Sequence, residues 1–267
     1  MRTNPAADAA TIRDVYDGVQ AQLYELFFGQ QLHVGGYVSS IDLAQTAGIG
    51  ARQRGVELCC GTGASMRLLV RMRDVASMTG VELSRGQVER GRRAVEREAS
   101  SDRITFVVGD ATATGLPSAE ADFVWGEDAW CYVPDKAAIV GEAVRLTKPG
   151  GVIAFTDWVE GPSRLSDAEM EHVLAAMTFP NLQTIDGYRS LLAAHGCDVL
   201  GAEDTGRFGP SFRMCADVIR SQFAFDVLEK VDFDTAVLDL VIDELEGLSA
   251  LGVAGKLVQG RFVARTR

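Results

Sequence analysis

Positive charge, histidine and proline are scarce in this 267-residue chain. Lys and Arg number 26 against 37 Asp and Glu, a formal charge of −11. That balance argues against nucleic acid or an anionic membrane as a main partner, since either demands a cationic surface. There are three histidines (His33, His172, His195) and five cysteines (Cys59, Cys60, Cys131, Cys197, Cys215), with no Cys-x-x-Cys. Such a donor set predicts no metal site, and the thiols read as reduced, small hydrophobes. No run approaches the roughly 20 apolar residues of a membrane helix. Met1 to Ala10 is polar and alanine-rich, without the apolar core of a secretory leader. The expectation is a cytoplasmic protein of one large domain or two small ones. The 28 glycines stand beside only 7 prolines. Glycine excess without proline excess predicts tight turns, some close to a ligand, rather than disorder.

Periodicity organises the chain in three parts. Residues 1–50 read as a helical cover. Thr11 with Asp14 resembles a capping pair, and Ile12, Val15, Val19, Leu23 and Leu26 form one stripe. Glycines 29, 35 and 36 interrupt it before a short helix from Ile41 to Ala47, closed by Gly48. Residues 51–160 alternate strands with helices, the strands being Val56–Cys59, Ala76–Leu83, Ile104–Val108, Asp122–Trp125 and Val152–Thr156. Residues 161–267 add helices at 165–177, 185–195, 212–228 and 234–248, with strands at 197–202 and 256–264. The pattern predicts an α/β fold: a doubly wound, mostly parallel seven-stranded sheet, with N-terminal helices and a helical lid insertion, as one integrated domain.

The informative stretch is Val56-Glu57-Leu58-Cys59-Cys60-Gly61-Thr62-Gly63-Ala64-Ser65. Strand, Gly-x-Gly turn and helix start follow one another, with Glu82 closing the second strand. Dinucleotide-binding proteins share this layout, so three details must discriminate. A third glycine is missing, because Met66 occupies its place. Glu57 on the first strand is repulsive to a pyrophosphate and useful to an amino group. Gly109-Asp110-Ala111 ends the third strand, where a carboxylate and a backbone N–H suit adenine. Glu57, Glu82 and Asp110 together describe a ligand with an ammonium, a ribose and an adenine but no phosphate: S-adenosylmethionine. The expected cofactor contacts are Glu57, Gly61, Thr62, Gly63, Glu82, Leu83, Asp110, Ala111 and Glu127.

With these motifs the chain resembles the class I S-adenosylmethionine-dependent methyltransferases. Asp122-Phe123-Val124-Trp125 and Leu146-Thr147-Lys148-Pro149-Gly150-Gly151 follow in family order. One departure is Cys59, where the family usually has a glycine. A finer resemblance, to the sarcosine/dimethylglycine N-methyltransferases, lies in several segments. These are Leu32-His33-Val34-Gly35-Gly36-Tyr37, Glu127-Asp128-Ala129 with Pro134-Asp135-Lys136, Thr156-Asp157, the run Gly187 to Leu192, and Ala254-Gly255-Lys256-Leu257. The resemblance implies a cytosolic enzyme that methylates a small amine. Trp130-Cys131-Tyr132-Val133 departs from that group where substrate should sit.

Methyl transfer from a sulfonium is an in-line displacement, helped by proximity and a dry site. The catalytic candidates are His33, Glu127, Tyr24 and Tyr37, with Tyr16 beside them as a face for cationic groups. His33 is equally readable as a hydrogen-bonded structural histidine. Trp130, Tyr132, Asp157, Trp158 and Arg189 are the candidates for substrate contact. The alternative acceptor is a terpenoid or other natural product methylated on carbon or oxygen, toward which Phe223, Phe225 and Phe233 in the lid point; these phenylalanines read more simply as helix core. A nicotinamide oxidoreductase and a non-catalytic cofactor-binding regulator stand as further readings. The expected partner is a small molecule, with no nucleic acid and no membrane, in a protein able to form a homo-oligomer.

Overall fold

The structure, a computed structural model, describes residues 2–17, 29–98, 100 and 102–267. Its sheet runs in the order β3-β2-β1-β4-β5-β8-β7, where β1 is Arg54–Leu58, β2 Ser77–Glu82, β3 Ile104–Val108, β4 Ala121–Glu127, β5 Thr147–Glu160, β7 Cys197–Asp204 and β8 Leu257–Thr266. A two-residue strand, β6 (Gln183–Thr184), pairs with the end of β5 and makes eight in all. The strands β1 to β5 pair in parallel, while β8 runs antiparallel to both β5 and β7. Chain direction across the sheet reverses at β1, which lies between β2 and β4. A crevice opens at such a reversal, beyond the carboxyl ends of the strands.

Alternation along the strands divides two cores. Val56, Leu58, Val124, Ile153 and Phe155 face one side, where α5 (Lys136–Leu146) and α7 (Ile185–Ala194) bring Ile139, Val140, Tyr188 and Leu192. Phe123, Trp125 and Ala154 face the other side, against α2 (Gly36–Thr46), α3 (Ala64–Met72) and α4 (Arg85–Arg97). Beyond the end of β5, Trp158 meets Phe179, Phe208 and Phe212 edge-on at 4.7–5.3 Å. This third cluster joins α6 (Asp167–Ala176), α8 (Phe208–Val218), α9 (Ala224–Lys230) and α10 (Thr235–Val253) to the sheet. Among the described residues no helix is long and apolar enough to cross a membrane.

Three expectations change. Helix α1 (Ala9–Asp17) starts before Thr11. Asp8 Oδ1 accepts from the Thr11 N–H and hydroxyl at 2.8 and 2.9 Å, so Asp8 caps the helix, not Thr11 with Asp14. Val19, Leu23 and Leu26 of the expected stripe lie outside the described residues. The helix expected at 212–228 is α8 and α9 joined by a π turn, Ile219–Phe223. There Ser221 Oγ bonds back to the Asp217 carbonyl at 2.7 Å and competes with the regular ladder. Phe225 and Phe233 are neither core nor cavity: they are 66 % and 55 % exposed and rest on each other at 5.5 Å.

Glu142 of α5 fastens the loop that follows β3. Its Oε1 accepts from the Thr114 N–H and hydroxyl at 2.8 and 2.5 Å, and Arg145 grips both oxygens at 2.7 Å. These bonds, Arg145 first, hold the carboxyl down at about 2 against a usual 4.5. A depressed carboxyl stabilises the fold above its unfolded value, and that gain is lost as pH falls toward 2. Glu142→Gln should therefore cost about 1–3 kcal/mol at pH 7. Urea midpoints measured from pH 7 to pH 3 should show the gap between variant and wild type narrowing.

Candidate active site

The turn after β1 has three residues at positive φ: Cys59 (61°), Gly61 (52°) and Gly63 (69°). Hydrogen bonds pin it to its neighbours. Cys60 N–H donates to the Val81 carbonyl at 3.1 Å, and Gly61 N–H donates to Glu82 Oε2 at 3.0 Å. The other oxygen of Glu82 accepts from the Ser84 N–H at 2.8 Å. Glu82 thus stitches the turn to the start of α4. Met66, where a dinucleotide fold needs glycine, fits because the small residue lies opposite. A Cβ on Gly80 of β2 would fall 2.5 Å from the Met66 methyl, and one on Gly63 2.6 Å from it.

Beside this turn is a cavity of about 370 Å³. Its floor holds Glu57, Gly61, Thr62, Glu82, Leu83, Asp110 and Ala111. Asp110 forms a local turn, accepting from the Thr112 N–H and hydroxyl at 2.8 and 2.7 Å. The upper wall comes from Ile12 and Tyr16 of α1 and from Gln30 to His33. The facing wall is Glu127, Asp128 and the segment from Tyr132 to Asp135. Tyr16 and Tyr132 close on each other edge-to-face at 5.3 Å.

Two carboxylates on the cavity each keep one oxygen without a partner among the described residues. Glu57 is 3 % exposed, and its Oε2 has no hydrogen bond. Burial, and then the nearby charge of Glu127, push its carboxyl well above the usual range, with Ser65 pulling the other way. Glu127 is 7 % exposed. Its Oε2 accepts from Ser65 Oγ (2.5 Å), Ser40 Oγ (3.1 Å) and Trp125 Nε1 (3.1 Å), with His33 Nε2 at 3.5 Å, while its Oε1 has none. A buried polar oxygen without a partner is costly in a native fold. Both oxygens suit a ligand rich in donors or positive charge.

Asp128, at φ 50°, ties the cover to the sheet. It accepts from the Val34 N–H at 2.8 Å and from Gln259 Nε2 of β8, which also donates to the Val34 carbonyl at 3.0 Å. Burial raises its carboxyl, against the charge of His33 and these hydrogen bonds. Ser40, Ser65 and Gln259 had escaped the sequence reading. Gln259 carried a signal, a lone amide between the apolar Leu257-Val258 and Phe262-Val263 of the last strand; serines carry none.

Several expected site residues lie elsewhere. Trp130 is fully buried, stacked on Phe155 at 4.0 Å in a slot that Gly126 leaves open. Asp157 is buried behind the wall, accepting from Cys131 N–H (2.9 Å) and Tyr188 OH (2.6 Å), its carboxyl raised to about 6 by burial. It positions Tyr132 from behind and does not border the cavity. Trp158 belongs to the lid cluster. Arg189 is on the surface, bonded to Asp186 and to the Ala202 carbonyl. Tyr37 is 61 % exposed and off the cavity. Gly63 is behind the turn, and Tyr24 lies outside the described residues. Among the described residues no cluster of His, Cys, Asp and Glu forms a metal site.

A doubly wound sheet with a glycine turn, acids at successive strand ends and a covered cavity at the switch point is the architecture of a Rossmann-like fold. Residues 56–155 match the family model described as a methyltransferase domain. The chain is 28% identical over 210 residues to 2-methyl-6-phytyl-1,4-hydroquinone methyltransferase of Synechocystis sp.. That match covers 70% of the chain and 65% of the relative, so the chain spans just under two thirds of that relative's length. In fold it is similar to a candidate sarcosine dimethylglycine methyltransferase from Galdieria sulphuraria (TM-score 0.78, 22% identity, 92% of this chain and 97% of that one). It is also similar to phosphoethanolamine N-methyltransferase 2 of Haemonchus contortus, solved with S-adenosyl-L-methionine (TM-score 0.84, 19% identity, 96% and 60%). Residues 56–155 are thus a methyltransferase domain, and S-adenosylmethionine is its cofactor. The nicotinamide reading falls with that assignment.

Cys59 holds its left-handed φ at a steric cost of roughly 1–2 kcal/mol that glycine avoids. Cys59→Gly should leave stability within about 1 kcal/mol of wild type, as relief offsets lost packing. Cys59→Val, β-branched in the same conformation, should lose about 2 kcal/mol or more. Thermal unfolding of both variants checks this.

Proposed function

We propose that the protein methylates a small cationic amine in the cytoplasm, without a nucleic-acid substrate. The observation that carries the reading is the pair of unpartnered carboxylate oxygens, Glu57 Oε2 and Glu127 Oε1, on one cavity. When bound, S-adenosylmethionine supplies a methyl group on a sulfonium. Glu57 would take its ammonium, Glu82 its ribose, and Asp110 with the Ala111 N–H its adenine. Gly61 and Thr62 line the approach. The residues present fit this group, since its amino end meets a carboxylate oxygen, Glu57 Oε2, that has no hydrogen bond among the described residues.

Glu127, His33, Tyr16 and Tyr132 then define the acceptor side. The aromatic faces favour an ammonium or a methylated nitrogen by about 0.5–2 kcal/mol. A protonated amine cannot attack, so His33 acts as base, with the Glu127 carboxylate beside the imidazolium that forms. The segments 30–33 and 132–135 exclude water, and catalysis comes chiefly from holding the acceptor in line in a dry site.

A second reading is methylation of carbon or oxygen on an apolar acceptor. It is supported by the apolar wall of Ile12, Leu32, Val133 and Pro134, and by the hydroquinone named for the Synechocystis relative. Incubating small-molecule extract with the enzyme and methyl-labelled cofactor separates the two. Label in small cationic amines supports the proposal, and label confined to the apolar fraction overturns it. In calorimetry with S-adenosylmethionine, Glu82→Ala and Asp110→Ala should each weaken binding about 10- to 100-fold, the loss of a charge-assisted hydrogen bond.

A further inference from the structure

Between His33 and Glu127 lies a serine that neither the motifs nor the fold explain. Ser40, in the first turns of α2, is fully buried. Its Oγ is 3.1 Å from His33 Nε2 and 3.1 Å from Glu127 Oε2. A hydroxyl has one proton to give. The carboxylate oxygen of Glu127 only accepts, so the Ser40 proton is directed to it. Toward the imidazole Ser40 Oγ is then an acceptor, and Gln31 Nε2 donates to the same oxygen from 3.5 Å. His33 Nε2 must therefore carry a hydrogen. The other neutral tautomer would set two lone pairs face to face at 3.1 Å in a buried place. The requirement is the same for the neutral and the charged ring, so the nitrogen that gains and loses a proton is Nδ1. The Val34 carbonyl, 3.4 Å from Nδ1, can only accept; it opposes a bare Nδ1 less than the closer, charged Glu127 oxygen opposes a Ser40 hydroxyl turned away from it, and it receives the Nδ1–H once the ring is charged.

We propose that Ser40 is a positioning residue for methyl transfer: its hydroxyl, held between Glu127 and His33, fixes the imidazole with hydrogen on Nε2 and makes Nδ1 the proton acceptor. The inference rests on the reading of His33 as the base. In the step it serves, an N–H bond of the protonated acceptor breaks and its electron pair stays on nitrogen. The proton moves to His33 Nδ1, and the resulting imidazolium keeps its Nε2–H on Ser40, with Glu127 Oε2 3.5 Å away to balance the charge. That nitrogen pair is what the acceptor then uses to attack the methyl carbon. A second consequence concerns Glu127. With Ser40, Ser65 and Trp125 all on Oε2, only Oε1 remains for a ligand.

The test is nitrogen-15 NMR of the histidine rings in the full chain, without cofactor or acceptor. There are only three histidines, and His33→Gln identifies the resonances of His33 by their loss. At a pH where the ring is neutral, wild type should show one tautomer, hydrogen on Nε2, with a ring N–H slow enough in exchange to be seen. Ser40→Ala should give a mixture of tautomers and lose that N–H signal, and Ser40→Thr, which restores the hydroxyl, should return it. Hydrogen on Nδ1 in wild type, or an unchanged His33 pattern in folded Ser40→Ala, overturns the proposal. If Ser40→Ala does not fold, the wild-type tautomer decides alone. No methylation is measured, so a wrong tautomer leaves the amine reading intact, and a failed methylation assay leaves the tautomer result standing.

Discussion

Carboxylates withdrawn from water are the constraint on which this site is built. Glu57, Glu127, Asp128 and Asp157 stand at the carboxyl ends of β1, β4 and β5, none more than 7 % exposed. No arginine meets any of them among the described residues; their hydrogen bonds come from serine, tryptophan, glutamine, tyrosine and peptide N–H donors. Neutral donors offset part of the desolvation and leave the rest unpaid. Burial accordingly raises the carboxyls of Glu57, Asp128 and Asp157. A cavity lined by such acids is suited to ligands that bring their own positive charge.

The four acids divide the labour. Asp157 sits behind the wall and holds Cys131, fixing the turn that presents Tyr132. Asp128 reaches the other way, to Val34 and, through Gln259, to the last strand. The cover is thereby tied to β4 and β8 at once, and His33 is carried to within 3.5 Å of Glu127. Glu57 and Glu127 are left facing the cavity with an oxygen each to spare. Among these four, the acids facing the cavity are distinguished from the structural ones by an oxygen left unsatisfied, not by their positions along the strands.

Much of this was legible in the amino-acid order. The strand alternation, the glycine turn and the acids at Glu57, Glu82 and Asp110 place the crevice, because each is a local pattern with a local cause. The acceptor side was less legible. Trp130 and Trp158 follow strand ends at the ligand edge, as substrate residues would, yet Gly126 opens a core slot for one and the lid phenylalanines surround the other. Asp157 at a strand end has the same sequence appearance as Glu57, and only its bonds to Tyr188 and Cys131, 31 and 26 residues away, turn it inward. Ser40 and Ser65 are ordinary helix residues until Glu127 arrives from a strand 87 and 62 residues distant. Roles that depend on such distant pairings have no periodicity to read.

The site turns on the Glu57 carboxyl, which burial raises and an arriving ammonium should lower again. Calorimetry of S-adenosylmethionine binding at pH 6, where an α-amino group is already protonated, tests it when run in two buffers of different ionisation enthalpy. A carboxyl whose pKa falls on binding must give up its proton, so the account predicts proton release that disappears in Glu57→Gln. Binding with no proton exchange, or with the same exchange in Glu57→Gln as in wild type, would contradict it.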